Sequence, residues 1–135
     1  GLSDQKKDWE VITMAVANGS AIHAQTMRVP APDLARELLE HLGPTVVAAL
    51  AGARDRKQPY KWASHGAQPR QESVTRLQVA YRVWSTIADA DGPNVARAWF
   101  IGANPRFDER PPYLAIREGL FGDVVAAAEE FVDHR

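Results

Sequence analysis

The chain contains no cysteine, which excludes disulfide bonds and thiolate chemistry and is typical of proteins in a reducing compartment. Its longest apolar stretch, residues 46–53, is far shorter than the roughly 20 residues that span a bilayer. The N-terminal residues also lack the apolar centre of a secretion signal. We therefore expect a cytoplasmic protein that makes no contact with membranes.

The sequence also lacks the patterns of catalytic and metal sites. Its four histidines are scattered, and no combination of histidine and carboxylate follows a metalloenzyme motif. There is no glycine-rich phosphate loop, and no serine lies in the small-residue elbow of a nucleophile. We expect no enzymatic activity, no catalytic residues, no metal and no cofactor.

Charge is unevenly distributed, although the whole chain carries a net charge of only -1. Residues 54–82 contain seven basic and two acidic side chains, whereas the segments on both sides are acidic. This distribution is expected if the middle segment meets phosphate groups and the flanks do not. A basic face that is merely solvated is the alternative interpretation.

Apolar residues recur at helical spacing throughout, as in the stripe Leu34, Leu38, Leu42, and no alternating strand pattern is present. The longest helix has a stripe at Val74, Leu77, Tyr81, Trp84 and Ala88. We predict an all-α fold. The predicted helices cover residues 5–17, 33–42, 44–52, 55–64, 71–90, 94–102, 112–118 and 122–133.

Three segments are predicted: an N-terminal helix and linker (1–32), a helix-turn-helix region (33–90) and a C-terminal three-helix unit (91–135). The first helix carries an apolar stripe at Trp9, Ile12 and Val16. An isolated helix of this length is marginal in water. We expect it to pack either on the main body or on a second copy of the chain.

Two short helices separated by a glycine-containing turn, residues 46–51 and 55–64, predict the helix-turn-helix. A side-chain amide at position 58 can make paired bonds to adenine, and the cations can reach guanine or phosphate. Pro59 either kinks the second helix or begins it, in which case residues 56–58 form a loop. The candidate DNA-binding residues are Arg54, Arg56, Lys57, Gln58, Lys61 and Arg70.

The C-terminal segment has an ordered set of helix breakers and apolar residues: Trp99, Asn104-Pro105, Pro111-Pro112, Leu114, Gly119 and Val124-Val125. This order resembles the toxin-binding domain of the MbcA/ParS/Xre antitoxin family and covers residues 92–132. The stretch Trp62-Ala63-Ser64-His65-Gly66, followed by Pro69, resembles the end of the recognition helix in Xre-type DNA-binding domains.

The resemblance implies an antitoxin that binds a RES-domain toxin, an NAD-consuming enzyme, and covers its active-site mouth. It also implies a homodimer that binds the operator DNA of its own operon. Where the family often has Gly-Gly, this chain has Phe107-Asp108-Glu109-Arg110, so the resemblance does not fix the shape of that loop. The candidate toxin-binding residues are Asn104, Pro105, Arg106, Asp108, Glu109, Arg110, Glu130, Asp133, His134 and Arg135.

The acids of the last helix (Asp123, Glu129, Glu130 and Asp133) and the terminal His134-Arg135 form a candidate plug for a toxin pocket lined with basic groups. Two alternatives stay open. One is a stand-alone transcription regulator whose C-terminal unit only forms dimers. The other is a scaffold or localisation factor without a DNA role.

Overall fold

The computed structural model describes residues 29–133, which form six α-helices and no β-strand. The predicted all-α fold is confirmed. The predicted helix 5–17, with its stripe at Trp9, Ile12 and Val16, lies outside the described residues. The helices are α1 (Ala31–Ala51), α2 (Gln58–Ala63), α3 (Gln71–Asp91), α4 (Pro93–Ile101), α5 (Pro112–Arg117) and α6 (Phe121–Asp133), with a 3-10 turn at Pro105–Phe107 between α4 and α5.

Two Gly-Pro pairs set the course of the chain. Gly43 interrupts α1 with φ 81° and ψ 164°, and Gly92 separates α3 from α4 with φ 96° and ψ 162°. Both values favour glycine, and the proline that follows disfavours the helical conformation at the preceding residue. Pro44 and Pro93 then open the next helical stretch. The breaks lie where the sequence predicts them, and α1 consists of two helical halves.

Helix α3 is the centre of the structure, because α1, α4, α5 and α6 all pack against it. The predicted stripe identifies only part of its buried surface. Leu77 and Trp84 are buried as predicted, but Val74, Tyr81 and Ala88 are only half-buried. Other α3 positions outside the stripe are fully buried: Ala80, Val83 and Ile87. The helix therefore has more than one buried face.

The helices of segment 91–135 share this core with those of segment 33–90. Helix α5 packs on α1, and α6 packs on α3, so the chain from Ala31 onward forms one compact unit. No linker separates the two segments, since Gly92 alone lies between α3 and α4. The division at residue 91 into two functional parts stays a prediction.

Aromatic contacts join three helices inside this unit. The Trp84 ring stacks on the imidazole of His41 with a centroid separation of 4.5 Å. Phe100 from α4 lies 6.4 Å from Trp84 on the other side and is fully buried. These contacts place α1, α3 and α4 around one aromatic cluster.

A buried arginine connects α3 to α6. Arg82 is 9% exposed; its guanidinium lies 3.6 Å from the Glu129 carboxylate and donates a hydrogen bond to the Thr86 hydroxyl. Burial lowers the pKa of Arg82, and the nearby Glu129 carboxylate opposes that shift. Arg82 therefore belongs to the interior, although the sequence counts it with the basic middle segment.

We expect Phe100→Ala to lower the free energy of unfolding by about 3–5 kcal/mol, because it removes a fully buried ring from a close-packed cluster. The matched control is its neighbour Ile101→Ala, since Ile101 is 46% exposed and should change stability by about 0.5 kcal/mol or less. Urea denaturation followed by tryptophan fluorescence measures both. Similar losses for the two variants would contradict this account of the core.

Candidate functional site

The turn before α2 is built by Asp55. Its carboxylate accepts hydrogen bonds from the backbone N–H groups of Lys57, at 2.9 Å, and Gln58, at 3.1 Å. Such an aspartate turn satisfies amide groups that have no partner inside the following helix. Pro59 lies in the first turn of α2, where its missing N–H costs nothing. The predicted helix over 55–64 is wrong at its start: α2 begins at Gln58 with Pro59 in its first turn, so only residues 56 and 57 of the alternative loop 56–58 lie outside the helix.

Gln58 takes part in fixing this turn. Its side-chain oxygen accepts a hydrogen bond from the backbone N–H of Arg54 at 2.9 Å, and its side chain is half-buried. Paired bonds to an adenine require both the oxygen and the NH2 group of the amide. In this structure the oxygen already has an intramolecular partner, so the residue supports the turn rather than presenting a free amide.

The cations around the turn are exposed. We call Arg54, Arg56, Lys57 and Lys61 the basic turn; all four are solvent-exposed, and none forms a salt bridge among residues 29–133. Sequence reasoning missed Tyr60, which is 54% exposed between Lys57 and Lys61. An exposed aromatic ring flanked by cations was the available signal. As predicted, Trp62 is a core residue, with 2% of its surface exposed.

Arg70 lies apart from the basic turn in sequence, directly before α3, where it is the N-cap residue. With Arg54 and Gln58 it lines a surface cavity of about 290 Å³. The structure therefore brings three of the candidate DNA-binding residues to one cavity. Arg76, which sequence reasoning did not select, lines the same cavity.

A second candidate surface is the loop 104–110, which follows α4. The Asn104 side chain accepts a hydrogen bond from the backbone N–H of Arg106 at 2.9 Å, and the Asn104 carbonyl accepts from Glu109 at 2.9 Å. An isolated antiparallel bridge joins Asn104 to Arg110, and Phe107 is buried beneath the loop. Pro105 is exposed, so the Asn-Pro bend is a fixed part of the surface.

Two consecutive residues of this loop have left-handed backbone conformations: Asp108 with φ 56° and Glu109 with φ 69°. Side-chain-bearing residues rarely adopt this conformation, which costs roughly 1–2 kcal/mol, whereas glycine adopts it readily. The chain keeps a conformation suited to glycine while carrying two acids there.

Ion pairs hold the loop from both sides. The Arg106 guanidinium lies 2.6 Å from a Glu130 carboxylate oxygen of α6, and Arg110 pairs with Glu118 at the end of α5. Asp108 and Glu109 are exposed and form no salt bridge within the described part of the chain. The loop cations are therefore engaged internally, while two carboxylates face the solvent.

The last helix presents fewer available acids than the sequence suggests. Glu129 lies against Arg82 and Glu130 pairs with Arg106, whereas Asp133 is exposed at the helix end. The predicted contacts of His134 and Arg135 lie outside the described residues. Of the acids in the candidate plug, only Asp123 and Asp133 are exposed and form no salt bridge within the described residues.

An aromatic pair adjoins this loop. The ring centroids of Trp99 and Phe131 lie 6.4 Å apart, and Phe131 is 38% exposed. Glu130, which pairs with Arg106 of the loop, directly precedes Phe131 in α6, so the loop and the aromatic pair involve neighbouring residues of one helix. We call Trp99, Phe131 and loop 104–110 the docking face.

No protein-family profile, curated protein or solved structure matches this chain. In the described region, no helix combines the length and the apolar character needed to cross a lipid bilayer. The same residues contain no group of three histidine, aspartate or glutamate side chains that could hold a metal ion.

We expect Glu109→Gly to raise the free energy of unfolding by about 1 kcal/mol, because glycine relieves the left-handed strain at this position. Glu109→Ala is the matched control, since it removes the same side chain but keeps Cβ and therefore the strain. Thermal unfolding followed by circular dichroism compares the two. If the glycine variant is no more stable than the alanine variant, the loop is not strained at this position.

Proposed function

We propose that this protein is the antitoxin of a type II toxin–antitoxin pair and that its docking face binds and covers a RES-domain, NAD-consuming toxin. The observation that carries the proposal is the braced loop 104–110, which holds Asp108 and Glu109 outward in a strained conformation. Strained backbone persists only where surrounding contacts impose it, and it clusters at binding and catalytic sites. The resemblance of residues 92–132 to the toxin-binding domain supports the same conclusion.

The chemistry of the docking face suits a protein partner. Interfaces bury an apolar centre surrounded by polar groups, and tryptophan is enriched among the residues that dominate binding energy. Trp99 and Phe131 supply the apolar part, while Asp108 and Glu109 supply negative charge beside it. A toxin pocket lined with basic groups for the phosphates of NAD is complementary to those charges.

Inhibition would be steric. The loop cannot easily change shape, because the buried Phe107 and two ion pairs hold it. A pre-organised surface loses little conformational entropy on binding, so more of the contact energy appears as affinity. In this mechanism the antitoxin supplies no chemical group to the toxin and only excludes its substrate.

The toxin-binding proposal is tested with the double charge reversal Asp108→Lys/Glu109→Lys and the toxin encoded by a neighbouring gene. We expect the reversal to weaken inhibition of NAD loss by about tenfold or more, since like charges would then face each other. Glu40→Lys is the matched control, because Glu40 is an exposed acid on α1. NAD consumption is measured at increasing antitoxin concentration.

Two outcomes contradict the proposal. The first is a complexed toxin that consumes NAD at its full rate. The second is a chain that binds no neighbouring toxin but forms a homodimer through the docking face, which would favour the stand-alone regulator. If the charge reversal weakens inhibition no more than Glu40→Lys does, the loop is not part of the toxin interface.

The basic turn favours a second function, which is operator DNA binding that would autoregulate the operon. Its four cations are exposed without salt-bridge partners in the described region, and α2 presents the exposed Tyr60 ring between Lys57 and Lys61. Exposed lysine and arginine side chains neutralise DNA phosphates and release counterions, so such binding weakens as salt rises. Because Gln58 is engaged internally, we expect phosphate contacts to dominate over base reading.

We expect Lys57→Ala/Lys61→Ala to weaken binding to the chain's own promoter fragment and to reduce the slope of log K against log salt by about 0.9 per lost phosphate contact. Fluorescence anisotropy at several salt concentrations gives this slope. Arg97→Ala is the control, because Arg97 is an exposed cation on α4 away from the basic turn. An unchanged slope in the double variant would exclude these lysines from phosphate contact.

A further inference from the structure

The cavity of about 290 Å³ lies where the turn after α1 meets the start of α3. Three of its lining residues are arginines, namely Arg54, Arg70 and Arg76, and Glu72 is the one acid that lines it. The lining therefore carries an excess of two positive charges. Charged side chains of one sign around a concave surface concentrate counter-ions of the opposite sign.

Backbone groups add to this charge. Helix α3 has 21 residues, and its N-cap Arg70 makes no side-chain capping hydrogen bond. The first amide groups of a helix have no acceptor inside the helix, and the aligned peptide dipoles place partial positive charge there. The N-terminus of α3 thus contributes N–H donors at the same location as the arginines.

Hydrogen bonds fix the cavity walls. The Ser73 hydroxyl donates to the Ala51 carbonyl at 2.7 Å, which ties the start of α3 to the end of α1. Arg76 donates from Nε to the Arg117 carbonyl at 3.1 Å and from one terminal nitrogen to the Glu72 carbonyl at 3.3 Å. Arg76 is therefore held in place, and its second terminal nitrogen is not needed for that anchoring.

A further donor lies in the wall. Trp62 lines the cavity and is 2% exposed, and its indole Nε1–H is buried without a hydrogen-bond partner in the described residues. A buried donor without an acceptor is destabilising, so such groups are rare in native structures. Because the Nε1 atom is itself closed off from solvent, the indole reports on changes in the cavity wall rather than adding a contact to the open cavity.

We propose that this cavity is a phosphate-binding site in which Arg54, Arg70 and Arg76 hold the phosphate oxygens beside the α3 N-terminus. Arginine suits this role because its planar group donates two parallel hydrogen bonds to one phosphate. The phosphate is either a backbone phosphodiester of DNA or a free phosphate group. The DNA source rests on the DNA-binding function proposed above, whereas the free phosphate source does not.

The first test titrates the full chain with inorganic phosphate and follows backbone and indole N–H signals by two-dimensional NMR. We expect saturable shifts for Gln71, Glu72, Ser73 and the Trp62 indole, and no such shifts with chloride at equal ionic strength. Arg76→Gln and Arg54→Gln should both reduce the affinity several-fold. The Arg54 side chain makes no hydrogen bond within residues 29–133, so that variant reports on the site even if Arg76→Gln perturbs folding.

Two further variants distinguish a specific site from an effect of net charge. Glu72→Gln should bind phosphate more tightly, because it removes the one acid that lines the cavity, and this effect is opposite in sign to that of the arginine variants. Arg97→Gln removes an equal charge elsewhere on the surface and should leave the affinity unchanged. If Arg97→Gln lowers the phosphate affinity as much as Arg54→Gln does, the effect depends on net charge alone, and the proposed site is overturned.

The second test measures promoter DNA binding by the same variants as a function of salt. A lower salt slope for Arg54→Gln and Arg76→Gln identifies the DNA backbone as the source of the phosphate. Phosphate-induced shifts without any DNA binding support the site with free phosphate and refute the DNA-binding function. The third outcome is that these variants bind DNA with an unchanged salt slope and that phosphate causes no NMR shift. This outcome overturns the site and leaves the DNA-binding function intact.

Discussion

The described structure depends on the burial of α3 on more than one face. Its 21 residues contact α1, α4, α5 and α6, so four of the other five described helices pack against it. Two polar contacts fix its position along its length: Ser73 bonds to the Ala51 carbonyl near its start, and Arg82 meets Glu129 of α6 further along. Because burial of apolar surface dominates the folding energy, both candidate interfaces depend on this helix for their geometry.

The helix boundaries are predictable from the sequence because local chemistry decides them. Gly43-Pro44 and Gly92-Pro93 each combine a residue that tolerates positive φ with one that cannot continue the preceding helix. Pro59 acts similarly by opening α2. The second buried face of α3 is not predictable in this way, because helices distant in the chain cover it, as α6 does where Glu129 meets Arg82. Ala80 and Arg82 carry no local signal for that burial.

The same distinction applies to the candidate sites. The sequence identifies the charged residues of the basic turn and the loop, but it does not show which of them have partners inside the molecule. Arg106 with Glu130 and Arg82 with Glu129 are pairs between distant segments, and Gln58 is occupied by a backbone amide. What remains available for a partner is the set of charges that folding leaves unpaired. That set is smaller than the candidate list: it includes Asp108 and Glu109 on the docking face and the cations of the basic turn.

The internal pairing of some charges has a consequence for how the chain would act. An exposed salt bridge contributes little to stability, about 0–1 kcal/mol, so the loop pairs of Arg106 and Arg110 are better explained as positioning contacts. Together with the buried Phe107 and the backbone hydrogen bonds that the Asn104 carbonyl accepts, they hold Asp108 and Glu109 in a conformation that those residues would not adopt alone. At the phosphate cavity, the hydrogen bond from Arg76 to the Arg117 carbonyl joins the cavity wall to the end of α5. Since both surfaces belong to one packed unit, a partner on the docking face and a phosphate at the cavity would be held in a fixed relative orientation, without a hinge between them.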